Sequence, residues 1–429
     1  MGSDRVLFGL LTPGLGGHSR TAIALAEVLR SRGYTIDFLV SASAEPAKTS
    51  LVRAAGFPVL PIAGVNGRPG HSLFRRNLHE LVRQRSYDAI HWFEFYAGVR
   101  DAARVAVETR CAFVWTVTSG GVPAGYYGLN RVVVFTPEVA RDVSRRSPRT
   151  VVHILPARFD FRRLDRQFID NARQDLRPRF DVTDQDLLIV RVARCSTVYL
   201  QSIRTGLALA TSLTRAGRPA VFLHAGYRAE PEVAQEIRRL VDRTNATAGR
   251  RIAHSVTDDI ETGTRYAAAA DVCIGSGRTA IEAVALERPT LVAWGSRNLG
   301  MVDANNIQSI AETNFQGRKS RKVESEDETV RQMHEAVCAR LSEPDHGARI
   351  QATCARFVRE EYSLDTAADA YERLYADRSV TIDGFLTYYG NPRHLGRELF
   401  HWLPLGIRRS RAVGLVRRVQ SWIGASRID

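Results

Sequence analysis

The sequence has few cysteines and no long hydrophobic run. Its five cysteines are scattered over 429 residues, and no two of them form a Cys-x-x-Cys pair. This pattern is typical of reduced thiols in a cytosolic protein, because disulfide-rich and zinc-binding chains carry cysteines at short, paired spacings. No window reaches the roughly 18 apolar residues that span a bilayer, and the N-terminus lacks a secretory signal. We therefore expect a cytoplasmic protein that is neither exported nor integral to the membrane.

Signatures of nucleic-acid binding are also missing, although the chain is basic. The formal net charge is +14 at pH 7, and most of the positive charge comes from arginine. Because no zinc-ligand spacing or nucleic-acid-binding motif accompanies this charge, the sequence argues against nucleic acid as a partner. An anionic membrane surface and phosphate-bearing substrates remain as partners that a positive charge would attract.

What the sequence does contain is a strand–helix alternation that occurs twice. A chain of 429 residues exceeds what one hydrophobic core usually supports, so two domains are expected. Apolar runs typical of strands begin at 6–11 and again at 187–192, and helical patterns follow each run. This alternation predicts a mostly parallel, doubly wound sheet in each half. The arginine-rich range 162–180 loses hydrophobic periodicity and contains Pro178, so we predict the interdomain linker there.

A glycine-rich loop lies between the first predicted strand and the first predicted helix. Gly14, Gly16 and Gly17 allow backbone N–H groups to approach a ligand such as phosphate. The spacing matches neither the dinucleotide fingerprint nor the P-loop, so a purely structural tight turn is the alternative. His18 follows at the predicted helix N-terminus, where the positive end of the helix dipole favours a neutral imidazole. His18 is therefore a candidate general base, unless it only caps the turn or lies on the surface.

The most specific stretch runs from Ala270 to Ala293 and predicts a strand, a turn, a helix and another strand. Four small residues form the turn and the helix start: Gly275, Ser276, Gly277 and Thr279. Their hydroxyls and free backbone N–H groups suit a diphosphate at a helix N-terminus, and Arg278 adds a positive charge. Glu282 lies one helical turn further on, where a carboxylate can accept hydrogen bonds from ribose hydroxyls. The alternative is that Glu282 faces solvent and the glycines only build the turn.

These residues carry a resemblance to a known class of enzymes. Glu282-Ala-Val-Ala-Leu-Glu-Arg-Pro289 resembles the E-A-x-A-x-x-x-P helix of nucleotide-sugar glycosyltransferases with the GT-B fold, in families 4 and 28. Leu15-Gly-Gly-His18 is similar to the loop of the enzyme that adds N-acetylglucosamine to the lipid-linked peptidoglycan precursor, and Val192-Ala-Arg194 stands where family 4 enzymes carry a glycine-arginine phosphate clamp. The residues that the resemblance implies for nucleotide-sugar binding are Gly16, Gly17, Arg194, Gly275, Ser276, Gly277, Arg278, Thr279 and Glu282.

The resemblance implies an α/β protein of GT-B architecture, with two Rossmann-like domains facing a cleft. A basic amphipathic tail follows where the GT-B pattern ends. It implies a hexosyl- or N-acetylhexosaminyltransferase that moves a sugar from a UDP-linked donor to a hydroxyl of a glycan or lipid-linked acceptor, without metal or cofactor. The expected organisation is an acceptor domain at 1–161, a linker at 162–180, a nucleotide-sugar domain at 181–362, a helix crossing back at 363–378 and an amphipathic tail at 379–429.

Two departures from family 4 bear on the mechanism. Ile274 stands eight residues before Glu282, where retaining enzymes of that family carry a glutamate, and no lysine follows the clamp. The sequence therefore favours an inverting mechanism, in which a base deprotonates the acceptor hydroxyl while Arg194 stabilises the departing nucleoside diphosphate. His18 is the first candidate base, and Glu94, at the end of a predicted strand, is the second. A nucleotide-sugar epimerase of the same fold and a non-catalytic nucleotide-sugar-binding subunit remain as alternatives.

The tail contains an amphipathic pattern at 405–423. Apolar residues fall on one helical face, with arginines on either side: Ala412, Val416, Val419 and Ile423 on the face, and Arg408, Arg409, Arg411, Arg417 and Arg418 beside it. This pattern is typical of a helix lying in an anionic membrane interface, and Trp422 suits the same place. The tail thus predicts a peripheral contact with the inner membrane face, with packing onto protein as the alternative.

Overall fold

A computed structural model gives the fold. It describes residues 4–11, 13, 17–44, 46–64, 72–94, 98–118, 129–156, 158–257, 263–295, 297–316 and 325–379. The chain divides into two compact units, one made of Met1–Leu155 and Ala368–Asp429 and the other of Pro156–Ala367. Each unit is built around one sheet within the described part of the chain.

The first unit contains a seven-stranded sheet. Its strands are β1 (Arg5–Gly9), β2 (Thr35–Ser41), β3 (Val59–Ile62), β4 (Ala89–Trp92), β5 (Ala112–Val117), β6 (Arg131–Val134) and β7 (Val151–Ile154). The helices between them are α1 (Gly17–Ser31), α2 (Pro46–Ala54), α3 (Ser72–Arg85), α4 (Val99–Thr109) and α5 (Pro137–Arg146). The strand order is β3-β2-β1-β4-β5-β6-β7, and the paired strands are parallel. Every residue of β5 is buried, as expected for a strand covered on both faces.

The second unit contains a six-stranded sheet. Its strands are β8 (Leu187–Val192), β9 (Ala220–Ala225), β10 (Ala253–Val256), β11 (Val272–Gly275), β12 (Thr290–Trp294) and β13 (Arg297–Met301). Its helices are α6 (Arg166–Arg179), α7 (Thr197–Arg215), α8 (Pro231–Ala248), α9 (Gly263–Ala269), α10 (Arg278–Ala285), α11 (Ile307–Ala311), α12 (Glu326–Ser342) and α13 (Pro344–Tyr362). The order is β10-β9-β8-β11-β12-β13, with β13 antiparallel to β12 and the other pairs parallel. The doubly wound α/β fold predicted for both halves is confirmed.

The range 162–180, which we predicted as a linker, contains helix α6 and belongs to the second unit. Three residues spaced three and four apart are buried in the core of this unit: Ile169, Ala172 and Leu176. Arg177 lies on the same helix and pairs with Asp271 at 2.8 Å, so it holds α6 against the start of β11. The linker prediction was wrong because arginines of α6 that pair with acids distant in the sequence give this amphipathic helix the polar composition of a linker.

The last described helix, α14 (Leu364–Ala376), belongs to the first unit from Ala368 onward. Its Tyr375 hydroxyl lies 2.7 Å from Nδ1 of His91 on β4, and the other ring nitrogen of His91 lies 2.7 Å from the Thr116 hydroxyl on β5. Burial lowers the pKa of His91 well below its ordinary value, so this imidazole is neutral at pH 7. His91 therefore anchors α14 to the first sheet.

No helix among the described residues is both long enough and apolar enough to cross a bilayer. The amphipathic pattern at 405–423 lies outside the described residues.

Candidate functional site

The turn between β11 and α10 has the form that the sequence predicted. Gly277 precedes the helix with φ 57° and ψ −126°, a conformation that residues with a Cβ atom rarely adopt. Its N–H donates to the Phe315 carbonyl at 2.9 Å. At Gly275, a Cβ would lie 2.8 Å from backbone atoms of Ala280, so a larger residue would push the helix away from the strand. The two glycines thus bring the N-terminus of α10 directly over the end of β11.

Glu282 and Arg278 form a pair one turn apart at the start of α10. The Arg278 Nε donates to the Glu282 Oε1 at 2.9 Å, and the Glu282 side chain is 11% exposed. The second carboxylate oxygen of Glu282 has no hydrogen-bond partner in the described part of the chain. The Arg278 guanidinium carbon lies 4.4 Å from the ring centre of Phe159, and its Nη1 is buried without a hydrogen-bond partner among the described residues. One carboxylate oxygen and one buried guanidinium nitrogen of this pair therefore have no hydrogen-bond partner among the described residues.

The end of β8 lies beside this turn. Thr279 on α10 donates through its hydroxyl to the Val192 carbonyl at 3.3 Å, which joins the helix to β8. Arg194 follows two residues later and is exposed. Its guanidinium carbon lies 5.8 Å from the ring centre of Tyr199. Ser196, the residue before α7, is 2% exposed, and its hydroxyl has no hydrogen-bond partner within the described residues.

Arg191 is a residue of this region that sequence reasoning missed. It lies on β8, is fully buried, and donates through Nη1 to the Ile274 carbonyl at 3.2 Å and through Nη2 to the Ser276 hydroxyl at 3.5 Å. The signal was present in the sequence as one arginine inside the apolar strand 187–192. It was overlooked because the run as a whole has the pattern of a buried strand.

Residues on β9 and directly after it hold the turn that follows β8. His224 is fully buried, and its Nε2 donates to the Ala193 carbonyl at 2.8 Å, while its Nδ1 lies 3.0 Å from the Ser255 hydroxyl. Burial lowers the pKa of His224 to about 4, so the ring is neutral at pH 7 and can act as both donor and acceptor. Gly226 lies so close that a Cβ there would be 1.8 Å from the Ala193 carbonyl oxygen. The backbone leading to Arg194 is therefore held rigidly.

The candidate bases lie in the first unit. His18 is half-buried on the first turn of α1, and its Nε2 lies 3.3 Å from the Ser19 hydroxyl. Glu94 follows β4, is 7% exposed, and accepts a hydrogen bond from the Trp115 indole at its backbone carbonyl at 3.0 Å. Because β1 and β4 are adjacent and parallel, both residues lie at the carboxyl edge of the first sheet.

The glycine loop is described only in part. Gly17 begins α1 and is exposed, and its carbonyl accepts a hydrogen bond from the Thr21 hydroxyl at 2.8 Å. Gly14 and Gly16 lie outside the described residues. Within the described ranges, no group of three or more His, Cys, Asp or Glu residues is arranged to hold a metal ion.

Comparison with known families gives one match in the first unit. A family model described as Glycosyltransferase Family 4 matches residues 15–127, a range that includes His18 and Glu94. A comparison with curated proteins gives no significant match. The family match agrees with the resemblance that the sequence motifs carry.

The fold is shared with solved structures that include glycosyltransferases and an epimerase. A glycosyltransferase from Rickettsia africae has a TM-score of 0.66 and 14% identity, with 88% of this chain and 99% of that chain covered. HepE of Anabaena, in complex with UDP and glucose, has a TM-score of 0.61 and 14% identity, with coverages of 87% and 99%. A UDP-GlcNAc 2-epimerase of Neisseria meningitidis bound to UDP-GlcNAc has a TM-score of 0.52 and 11% identity, with coverages of 87% and 99%. The chain therefore has the GT-B fold of nucleotide-sugar glycosyltransferases.

Proposed function

We propose that this protein is a glycosyltransferase that transfers a hexosyl or N-acetylhexosaminyl group from a nucleoside-diphosphate sugar to a hydroxyl group. The observation that carries the proposal is the α10 N-terminus, where one carboxylate oxygen of Glu282 and the buried Nη1 of Arg278 have no hydrogen-bond partner among the described residues. A nucleoside diphosphate matches this pair, because its ribose donates hydrogen bonds to a carboxylate and its phosphates are attracted by a guanidinium.

Each part of the nucleotide-sugar donor has residues suited to bind it. The backbone N–H groups at the start of α10, the Ser276 hydroxyl and the positive end of the helix dipole favour the diphosphate. The Thr279 hydroxyl donates to the Val192 carbonyl, so Thr279 contributes through its backbone N–H. Arg194 is exposed at the end of β8 and supplies a further positive charge. The available oxygen of Glu282 accepts from the ribose hydroxyls. A UDP-linked donor is supported by the motif resemblance and by the UDP in the HepE structure.

The chemical step in this proposal is inverting. His18 accepts the proton of the acceptor hydroxyl as that hydroxyl attacks the anomeric carbon, and the bond to the nucleoside diphosphate breaks on the opposite side. Arg194 and the α10 N-terminus stabilise the negative charge of the leaving group. His18 is preferred over Glu94 because it is half-buried on a helix terminus, whereas Glu94 is only 7% exposed.

Replacement of Glu282 by alanine tests the donor site. We expect nucleoside-diphosphate binding to weaken by about 1 to 3 kcal/mol, about 5- to 150-fold in Kd, because the ribose loses a charged acceptor. The Kd values of UDP, ADP and GDP are measured by calorimetry, after a thermal-shift screen identifies which of them raises the melting temperature. Glu287→Ala removes an exposed carboxylate just after the same helix and is the matched control. Equal affinities of Glu282→Ala and the wild-type protein would rule out the ribose assignment.

The epimerase remains the second candidate function, because the Neisseria epimerase shares the fold. The product of a nucleotide-sugar epimerase is a second nucleotide sugar, whereas a transferase passes the sugar to an acceptor and releases the nucleoside diphosphate. Incubation of the protein with a nucleotide sugar and no acceptor separates the two. A new nucleotide sugar in the product mixture indicates the epimerase, and release of nucleoside diphosphate that depends on an added acceptor indicates the transferase.

We infer that the acceptor is a glycan or lipid-linked molecule at the inner face of the membrane, on the strength of the basic pattern at 405–423. The full chain should float with phosphatidylglycerol-containing liposomes, and a chain ending at Arg378 should not, because five arginines of the amphipathic pattern are removed. A full-length variant with those arginines changed to glutamine separates charge from chain length. Flotation of the shortened chain would place the membrane contact elsewhere.

A further inference from the structure

Arg191 is a buried positive charge without an acidic partner. It is 0% exposed, and no carboxylate of the described residues lies within 4.0 Å of it. Arg177, another buried arginine of the same unit, is by contrast paired with Asp271 at 2.8 Å. Burial lowers the pKa of Arg191 to about 10, which still leaves the group charged at pH 7. The fold therefore maintains an uncompensated cation in its interior.

Such a charge is costly unless something offsets it. Transfer of an ion from water into a protein interior costs several kcal/mol even after relaxation, as an order of magnitude. The acceptors of Arg191 are all neutral groups: the Ser202 hydroxyl at 3.2 Å, the Ile274 carbonyl at 3.2 Å, the Ala293 carbonyl at 3.4 Å and the Ser276 hydroxyl at 3.5 Å. Neutral dipoles satisfy the hydrogen-bonding groups of the guanidinium but leave its net charge in place.

The position of this charge indicates what offsets it. Arg191, Ile274 and Ala293 each precede the last residue of their strands, β8, β11 and β12. Ser276 belongs to the turn that leads into α10. Arg191 thus lies beneath the carboxyl edge of the sheet, where ligands of parallel α/β sheets bind. Two buried donor groups in the same loops, the Ser196 hydroxyl and the Arg278 Nη1, have no hydrogen-bond partner within the described residues.

We propose that the diphosphate of the nucleotide is the counter-charge of Arg191, which attracts it from beneath the turn and orients the Ser276 hydroxyl toward it. This inference rests on the proposed donor site and extends it by one residue. Arg191 is a positioning residue, since it is fully buried and acts through Ser276 and through its field across the turn. Its charge stabilises the diphosphate more than the nucleoside, and it stabilises the leaving group further as negative charge develops there.

A purely structural role for Arg191 makes a different prediction. If Arg191 only ties the ends of the strands together, its loss loosens the whole site, and every ligand weakens by a similar factor. If Arg191 is the counter-charge, the loss grows with the number of phosphates on the ligand. The ratio of the affinities for UDP and uridine separates the two, because uridine carries no phosphate.

The experiment compares Arg191→Gln with Arg191→Lys. Both variants lose most of the arginine hydrogen bonds, but lysine keeps the positive charge. We expect Arg191→Gln to lose about 30-fold or more in affinity for UDP, which corresponds to the usual loss when one partner of a buried charge pair is removed. Its affinity for uridine should change less than about threefold, and Arg191→Lys should retain most of the binding of UDP. Competition titrations followed by ligand-observed NMR, with UDP, UMP and uridine, give the three affinities for each variant.

The matched control is Arg177→Gln. It removes a buried arginine at the opposite edge of the same sheet, where Asp271 keeps Arg173 as a partner at 3.0 Å. Any general destabilisation of the second unit appears in this variant, and it should leave the UDP-to-uridine ratio at the wild-type value. Equal losses of UDP and uridine in Arg191→Gln would overturn the counter-charge role and leave the donor site intact. Failure of the wild-type protein to bind UDP would overturn the donor site itself, and this inference with it.

Discussion

Replacement of His18 by glutamine should lower kcat by about 10²- to 10⁴-fold, the usual contribution of a general base. Glutamine is close to histidine in size and keeps a polar group near the Ser19 hydroxyl, which lies 3.3 Å from the imidazole Nε2. It cannot accept a proton from an attacking hydroxyl. The residues that we propose for the ribose and the diphosphate belong to the second unit, whereas His18 lies in the first helix of the first unit. The Kd of UDP should therefore remain unchanged while turnover falls.

The release of UDP in the presence of an acceptor measures turnover, and calorimetry measures the affinity for the donor. Glu94→Gln is the partner experiment, because it removes the second candidate base and leaves His18 in place. A fall in kcat in His18→Gln alone identifies His18 as the base. A normal rate in His18→Gln together with a large fall in Glu94→Gln would reverse the assignment, and normal rates in both variants would rule out a catalytic role for either residue.

Replacement of Gly226 by alanine should destabilise the second unit by about 3 kcal/mol or more, at the upper end of the cost of overpacking. The new Cβ would lie 1.8 Å from the Ala193 carbonyl oxygen, a backbone atom that no rotamer change can move aside. The Gly226 N–H donates to the Val256 carbonyl at 2.9 Å, and the Ala193 carbonyl accepts from His224 at 2.8 Å. Because both backbones are held, the turn that carries Arg194 must shift, and donor binding should weaken as well.

Denaturant unfolding gives the change in stability, with Gly217→Ala as the control. Gly217 has a positive φ of 80°, but a Cβ atom at this position would have no neighbouring atom within 4 Å, so the substitution should cost only about 1 to 2 kcal/mol. The backbone of Gly226 has no such positive φ, and the cost there is purely steric. If Gly226→Ala is no less stable than Gly217→Ala, the close approach between the two turns is not a constraint on the fold.

The turn before α10 could be predicted from the sequence because its determinants are local. Gly275, Gly277 and the apolar neighbours of Glu282 lie within a few residues of one another, so the pattern contains the whole feature. Arg191 could not be predicted in the same way. It is paired in register with Ile274, which lies 83 residues away, and only the folded sheet brings them together.

The same reasoning explains the helix in the predicted linker. The arginines of α6 gave the range a polar composition, but Arg177 pairs with Asp271, 94 residues further along the chain. Sequence periodicity records which face of a segment is apolar, and a charged side chain that is neutralised by a distant acid breaks that pattern. The sequence predicted His18 and Glu94 as candidate bases, and the structure puts both at the carboxyl edge of the first sheet. Their catalytic roles stay predictions.

Because α14 returns to the first unit, the two units are not completed in the order in which their synthesis begins. The second unit is a continuous segment that ends at Ala367, whereas the first unit needs residues from both sides of it. During synthesis, Nδ1 of His91 cannot form its native hydrogen bond with the Tyr375 hydroxyl until residue 375 has left the ribosome. The first unit is therefore begun first and completed last, after the continuous second unit has been synthesised.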